Sequence, residues 1–160
     1  MIIVGIGQSG SGKTTYFKER YVKPPISHVE DEICPYTVAD GIALIGRYNI
    51  GKRTEGTDSL SYSILPKLIQ QVEVLTKKYP IIIVEGDRIN NTRFFEYLVK
   101  SGQQVHLILF TCPLETSVKR LEAAGSKITL PFIKTTKTKS LNNFMKYGRQ
   151  FFRRETMVNS

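Results

Sequence analysis

No apolar run in this chain approaches the ~20 residues that a membrane span requires. The amino end runs directly into Ile2-Ile3-Val4, without the charged stretch and long apolar core of a secretory signal. Only two cysteines occur, Cys34 and Cys112, and neither has metal-ligand spacing. That argues against a disulfide framework and for reduced thiols in a cytoplasmic protein. No repeat or low-complexity segment is present. A guanine-reading Asn/Thr-Lys-x-Asp motif is also missing, since Thr136-Lys137-Thr138-Lys139 lacks the acid, so a GTPase is set aside. At 160 residues the chain allows one domain over its whole length, too small for a helicase or motor ATPase. The most local shortage is of acid: none occurs between Glu122 and Glu155.

What is present begins at residue 7. Gly7-Gln8-Ser9-Gly10-Ser11-Gly12-Lys13-Thr14 matches G-x-x-x-x-G-K-[ST] without a break. An apolar strand, residues 2–6, precedes it, and a helix-compatible stretch, 14–22, follows. Strand, glycine loop and helix start form an anion cradle, in which backbone N–H groups meet phosphate oxygens where the helix dipole is positive. Gly7, Ser9, Gly10, Ser11, Gly12, Lys13, Thr14 and Thr15 are the expected nucleotide-binding residues. Lys13 would reach the β- and γ-phosphates of ATP, and the Thr14 hydroxyl would ligate Mg²⁺. Lys13 is expected to stand exposed in the loop.

Apolar runs alternate with helical patterns, the signature of βαβ units and a mostly parallel sheet. The expected fold is α/β, a P-loop NTPase with five strands flanked by helices. Residues 26–41 read as irregular or weakly extended. Strands are expected at 41–48, 79–84 and 105–110. Helices are expected from 57 or 58 to about 78, interrupted at Pro66, and from Asn91 or Thr92 to about Lys100. Two more are expected over 113–124 and 140–155. Residues 126–138 read as mobile, so 126–155 would serve as a short basic lid.

Phosphoryl transfer needs an aligned acceptor, neutralised charge and often a carboxylate to take the acceptor's proton. Ile81 to Val84 is an apolar strand ending in Glu85-Gly86-Asp87-Arg88. Glu85 or Asp87 would hold Mg²⁺ with Thr14. Asp58, at a helix start, is the leading acid for the acceptor, although a cap is the alternative reading; Asp31, Glu32 and Asp87 are further candidates. Arg88 would contact an anion, and Arg120 and Arg149 are the expected lid cations. Arg47, Lys52 and Arg53 flank the loop before Asp58 and would suit a phosphodiester.

Charge is concentrated at the carboxyl end. Residues 1–99 carry 12 basic and 11 acidic side chains, whereas residues 100–160 carry 11 basic and 3 acidic. Lys127, Lys134, Lys137, Lys139, Lys146, Arg149, Arg153 and Arg154 alternate with Phe132, Phe144, Tyr147, Phe151 and Phe152. Cations among aromatics suit a polyanion whose bases can stack. The other readings are a lid over ATP, core aromatics and a solvated face.

Three segments carry a resemblance. Leu44-Ile45-Gly46-Arg47-Tyr48, Gly56-Thr57-Asp58-Ser59-Leu60-Ser61 and Val84-Glu85-Gly86-Asp87-Arg88, with Asn90 and Asn91, resemble the bacteriophage 5-hydroxymethyl-deoxyuridine DNA kinases. The resemblance runs to about residue 125. It implies an ATP-dependent kinase that phosphorylates the hydroxymethyl group of a modified pyrimidine in DNA, for thymidine hypermodification. Lys13 and Thr14 would then serve ATP and Mg²⁺, Asp58 would meet the acceptor alcohol, and the location would be the host cytoplasm. The residues alone also allow a P-loop kinase for a free nucleoside, nucleotide or other metabolite, or a regulatory ATP-binding module.

Overall fold

A computed structural model describes residues 1–51 and 54–158. Its centre is β1 (Ile2–Gly7), buried along its whole length. The remaining strands are β2 (Ile26–Val29), β3 (Tyr36–Ala39), β4 (Ile42–Ile45), β5 (Ile82–Glu85), β6 (Val105–Thr111) and β7 (Phe152–Met157), and the spatial order is β2-β3-β4-β5-β1-β6-β7. The five strands from β4 to β7 are mutually parallel, as the alternating pattern requires. The sheet has seven strands, not five. Residues 26–41 supply the other two, β2 and β3, which extend the sheet as antiparallel strands. Asp40 and Gly41, both at positive φ, make the two-residue turn from β3 to β4.

The helices are α1 (Lys13–Tyr21), α2 (Leu65–Thr76), α3 (Thr92–Lys100), α4 (Leu114–Ala123) and α5 (Leu130–Tyr147). Pro66 starts α2 and does not kink it: in the first turn its missing N–H has no intrahelical acceptor to lose. The segment from Thr57 to Ser59 is a separate 3₁₀ turn. Asn91 caps α3 by accepting from the Phe94 N–H at 3.0 Å.

The carboxyl end departs most from expectation. Residues 130–138, read as mobile, belong to α5, whose buried face is Ile133, Thr136, Ser140, Asn143, Phe144 and Tyr147 at helical spacing. Residues 152–155, read as the end of a helix, belong instead to β7, which pairs with β6 from His106↔Phe152 to Thr111↔Met157. Two apolar layers flank the sheet. Ile2, Val4 and Ile6 face α2, α3 and α5, where Phe95 stacks on Tyr147 at 5.1 Å. On the other face Phe17 of α1 lies so close over Gly5 that a Cβ there would be 2.5 Å from its ring.

Candidate active site

The loop joining β1 to α1 stands at the carboxyl ends of the parallel strands, where open α/β sheets bind ligands. Gly10 and Gly12 hold φ of +77° and +90°, which side chains disfavour. Lys13 is not exposed. It is the first residue of α1, only 9% exposed, and its ammonium donates to Gly7 O at 3.1 Å and Gln8 O at 3.0 Å. Two helices brace the loop. Gln8 Nε2 donates to Ser117 Oγ of α4 at 2.7 Å, Arg120 Nη1 of α4 to Gly10 O at 3.2 Å, and the Ser9 N–H to Thr136 Oγ1 of α5 at 3.0 Å. The Ser11 N–H donates to Gln8 O at 3.1 Å. The Ser9 and Ser11 amides thus also shape the loop.

On the β5 side the Thr14 hydroxyl donates to Glu85 Oε1 at 3.0 Å, and the Tyr48 hydroxyl donates to the same oxygen at 2.9 Å. Glu85 is 1% exposed. Burial, then the negative charge of Asp58, pushes its carboxyl up to about 7, against the pull of Lys13 and the two hydrogen bonds. Burial beside this carboxylate also raises the Tyr48 phenol well above its ordinary range. A hydroxyl and a buried carboxylate beside a phosphate cradle are oxygen donors of the kind a hard divalent cation takes. Asp87 is turned elsewhere, toward Lys139 Nζ of α5 at 2.6 Å.

The Gly-Thr-Asp and Glu-Gly-Asp-Arg segments pack on each other. Thr57 Oγ1 donates to the Glu85 carbonyl, and a Cβ on Gly86 would fall 2.3 Å from that hydroxyl. Gly86 also holds φ +119°. Gly86→Ala is therefore expected to destabilise the fold by about 1–3 kcal/mol and to lower activity in proportion to misfolding, readable from paired melts and assays. From this packing Asp58 emerges with 44% of its side chain exposed, paired to Arg88 Nη1 at 3.3 Å, while Arg88 Nε and Nη2 donate to Leu60 O.

A cavity of about 640 Å³ lies beyond, lined by Thr14, Thr15, Asp58, Leu121, Lys127 and Phe132 among others. A neighbouring hollow of about 380 Å³ shares Thr14, Thr15 and Asp58 and adds Gly10, Lys13 and Arg120. Phosphate loop, candidate acid and Arg120 therefore border the same hollow. Arg149 does not. It lines a hollow with Gln104 and Val105, at the amino end of β6 and far from the loop. From Thr136 beside the loop to its end at Tyr147, α5 runs roughly 17 Å and carries the chain to the opposite end of the sheet.

Of the remaining candidates, Arg47 is held by Glu30 at 2.7 and 2.9 Å, and Asp31 accepts from the Ile33 N–H in a local turn. Lys52 and Arg53 lie outside the described residues. Lys134 and Lys137 are exposed on α5, whereas Phe144 and Tyr147 are core. Arg153 packs over Phe144, and Arg154 donates to the Tyr16 hydroxyl. Both cysteines are free and buried; burial pushes the Cys34 thiol up to about 12, an inert state.

The model of the family P-loop Nucleotide Kinase3 matches residues 1–128. The chain belongs to that family. It is a P-loop phosphotransferase, and its loop is a nucleotide site. Among solved structures it is similar to deoxyadenosine kinase from M. mycoides with bound dATP. That likeness has 12% identity and a TM-score of 0.49, covering 98% of this chain and 91% of that one. The same kinase with products dCMP and a flexible dCDP matches at 12% and 0.47, covering 98% and 90%. Likeness at this level says nothing of substrate. No curated protein matches the sequence. No helix among the described residues of this kinase is long and apolar enough to cross a membrane.

Two residues at the kinase's site carry little sequence signal. Tyr48 follows an apolar strand, and only the rule that a buried phenol needs a partner marks it. Thr136 sits in a run of alternating Thr and Lys that reads as solvent-facing, although its hydroxyl reaches the loop.

Proposed function

We propose that this kinase transfers the γ-phosphate of ATP to the hydroxymethyl group of 5-hydroxymethyluracil in DNA. The observation that carries the reading is Asp58: an exposed carboxylate on the wall of the cavity that Thr14 and Lys13 border, on a segment that resembles the phage DNA kinases. Lys13, Gly10, Gly12, Thr14 and Thr15 hold the triphosphate. Thr14 and Glu85 hold Mg²⁺, which neutralises phosphate charge when bound. The alcohol lies at Asp58. Its oxygen bonds to the γ-phosphorus, the bond from that phosphorus to the β–γ bridging oxygen breaks, and the alcohol proton passes to Asp58. Arg88 orients Asp58, and Arg120, fixed to Gly10 O, faces the transferred charge. Lys127 on the cavity wall, with the exposed Lys134 and Lys137 of α5, offers positive charge to the DNA backbone. A base in a duplex must be flipped out to reach this depth.

Incubation with γ-labelled ATP and DNA containing 5-hydroxymethyluracil tests the reading, against unmodified DNA and free nucleosides. Label in the modified DNA alone is expected. Label only in free nucleosides would replace this reading with a metabolite kinase. Asp58→Asn should cut kcat by about 10²–10⁴-fold while the ATP dissociation constant stays nearly unchanged. Loss of ATP affinity in that variant would move Asp58 to the nucleotide side.

A further inference from the structure

The larger cavity contains a side chain that phosphate chemistry does not need. Tyr62 lines it and is 73% exposed, an unusual position for a ring that could have been buried. The ring is nevertheless held. The Arg88 guanidinium carbon lies 3.9 Å from its centroid, covering one face. That guanidinium is itself fixed by two bonds to Leu60 O and by its pair with Asp58. Tyr62 is thus a clamped aromatic plate, one guanidinium away from the candidate acid, with its other face uncovered. Phe132, in the first turn of α5, lines the same cavity.

We propose that Tyr62 is the stacking platform for the acceptor's nucleobase and that Phe132 narrows the slot from α5. This rests on the preceding reading of the reaction and adds the residues that select a base. Aromatic stacking is tolerant of base identity, because every base has a π-face. Selection for the hydroxymethyl group then comes from Asp58 beside the plate. The methylene of a base-borne hydroxymethyl group lies in the ring plane and its oxygen turns about the C–C bond, so a base seated on Tyr62 can direct that oxygen toward Asp58, which lines the same cavity.

The sequence has no tryptophan, so Tyr62→Trp creates a single fluorescent reporter at the plate. Its emission is read while a single-stranded oligonucleotide carrying one 5-hydroxymethyluracil is added without ATP, and again with free 5-hydroxymethyl-deoxyuridine. Saturable quenching by the oligonucleotide is expected. In assays Tyr62→Ala should raise KM for the oligonucleotide by about 5- to 100-fold, with kcat and the KM for ATP within about twofold, and Tyr62→Phe should restore KM. Quenching by the nucleoside and not by the oligonucleotide keeps the slot and removes DNA as the acceptor. If neither quenches, and Tyr62→Ala still labels modified DNA with wild-type KM, the slot is overturned while the DNA reading stands. An increase in the KM for ATP, or a lowered melting temperature in Tyr62→Ala, would make the residue structural and overturn the slot as well.

Discussion

Lys13→Ala is expected to lower phosphoryl transfer by about 10²–10³-fold or more, the range for removing one well-placed charge-stabilising group. The ammonium is held by Gly7 O, Gln8 O and Ser11 Oγ, at the centre of the loop and not at its rim. Its position on the first turn of α1 adds a full positive charge to the helix's partial one. Alanine removes both the charge facing the phosphates and the tie across the loop. Because Lys13 is buried, its loss also reaches the fold. Both carbonyls belong to buried residues and lose a charged donor, so a destabilisation of about 1–2 kcal/mol is expected. That corresponds to roughly 2–8 °C in a domain of this size. Label transfer and thermal melts with and without ATP measure the two effects separately. Transfer within tenfold of wild type would remove Lys13 from the transition state. A melt lowered by tens of degrees would mean that the residue serves chiefly to shape the loop.

Which parts of this architecture are legible in the sequence follows from burial. β1, β4, β5 and β6 lie inside the sheet with both faces covered, and such strands read as continuous apolar runs. The phosphate loop between β1 and α1 is legible because its chemistry fixes residue types at fixed spacing. β2 is half exposed and so lacks the apolar signal, although the Asp40-Gly41 pair is a hairpin marker that places β3 against β4. β7 is harder. It is an edge strand, exposed along most of its length, and Arg153-Arg154-Glu155 shows no strand pattern. Only its pairing with β6, more than forty residues earlier in the chain, makes it a strand.

The site divides in the same way. Thr14 and Glu85 meet because a loop and a strand end converge at the carboxyl edge of a parallel sheet, so the acid after the apolar run 81–84 is identifiable in advance. Asp87, two residues on, has equal sequence credentials and a different partner, Lys139, because the 3₁₀ turn after β5 redirects it toward α5. Arg149 shows the limit of reading a basic stretch as one unit. Being near Lys139 in the chain says little about place when the last turns of a rigid helix carry the backbone along the sheet. Thr136 and Arg149, thirteen positions apart, lie at opposite ends of the sheet.

Glu85→Gln is expected to make the metal-free protein more stable at pH 8 while removing its catalytic capacity. The folded-state value of about 7 lies above the ordinary 4.5 of a free glutamate. Between those values the native protein holds a proton that the unfolded chain has released. Stability therefore falls as pH rises through that window, and above about 7 the full penalty applies. The size is about 3 kcal/mol, from 1.36 kcal/mol per unit of difference. Glutamine carries no charge to desolvate, and its carbonyl still accepts from the Thr14 and Tyr48 hydroxyls. The variant should accordingly match wild type near pH 4.5 and exceed it at pH 8, by several degrees in melting temperature with a chelator present. Under the proposed function the same change removes the carboxylate that would hold Mg²⁺, so Mg²⁺ with ATP should stabilise wild type far more than the variant. A wild-type minus variant difference that stays flat from pH 5 to 8 would mean that Glu85 is ionised throughout. The buried carboxylate beside the loop would then be compensated by its neighbours, and the acid would have no strain for a cation to relieve.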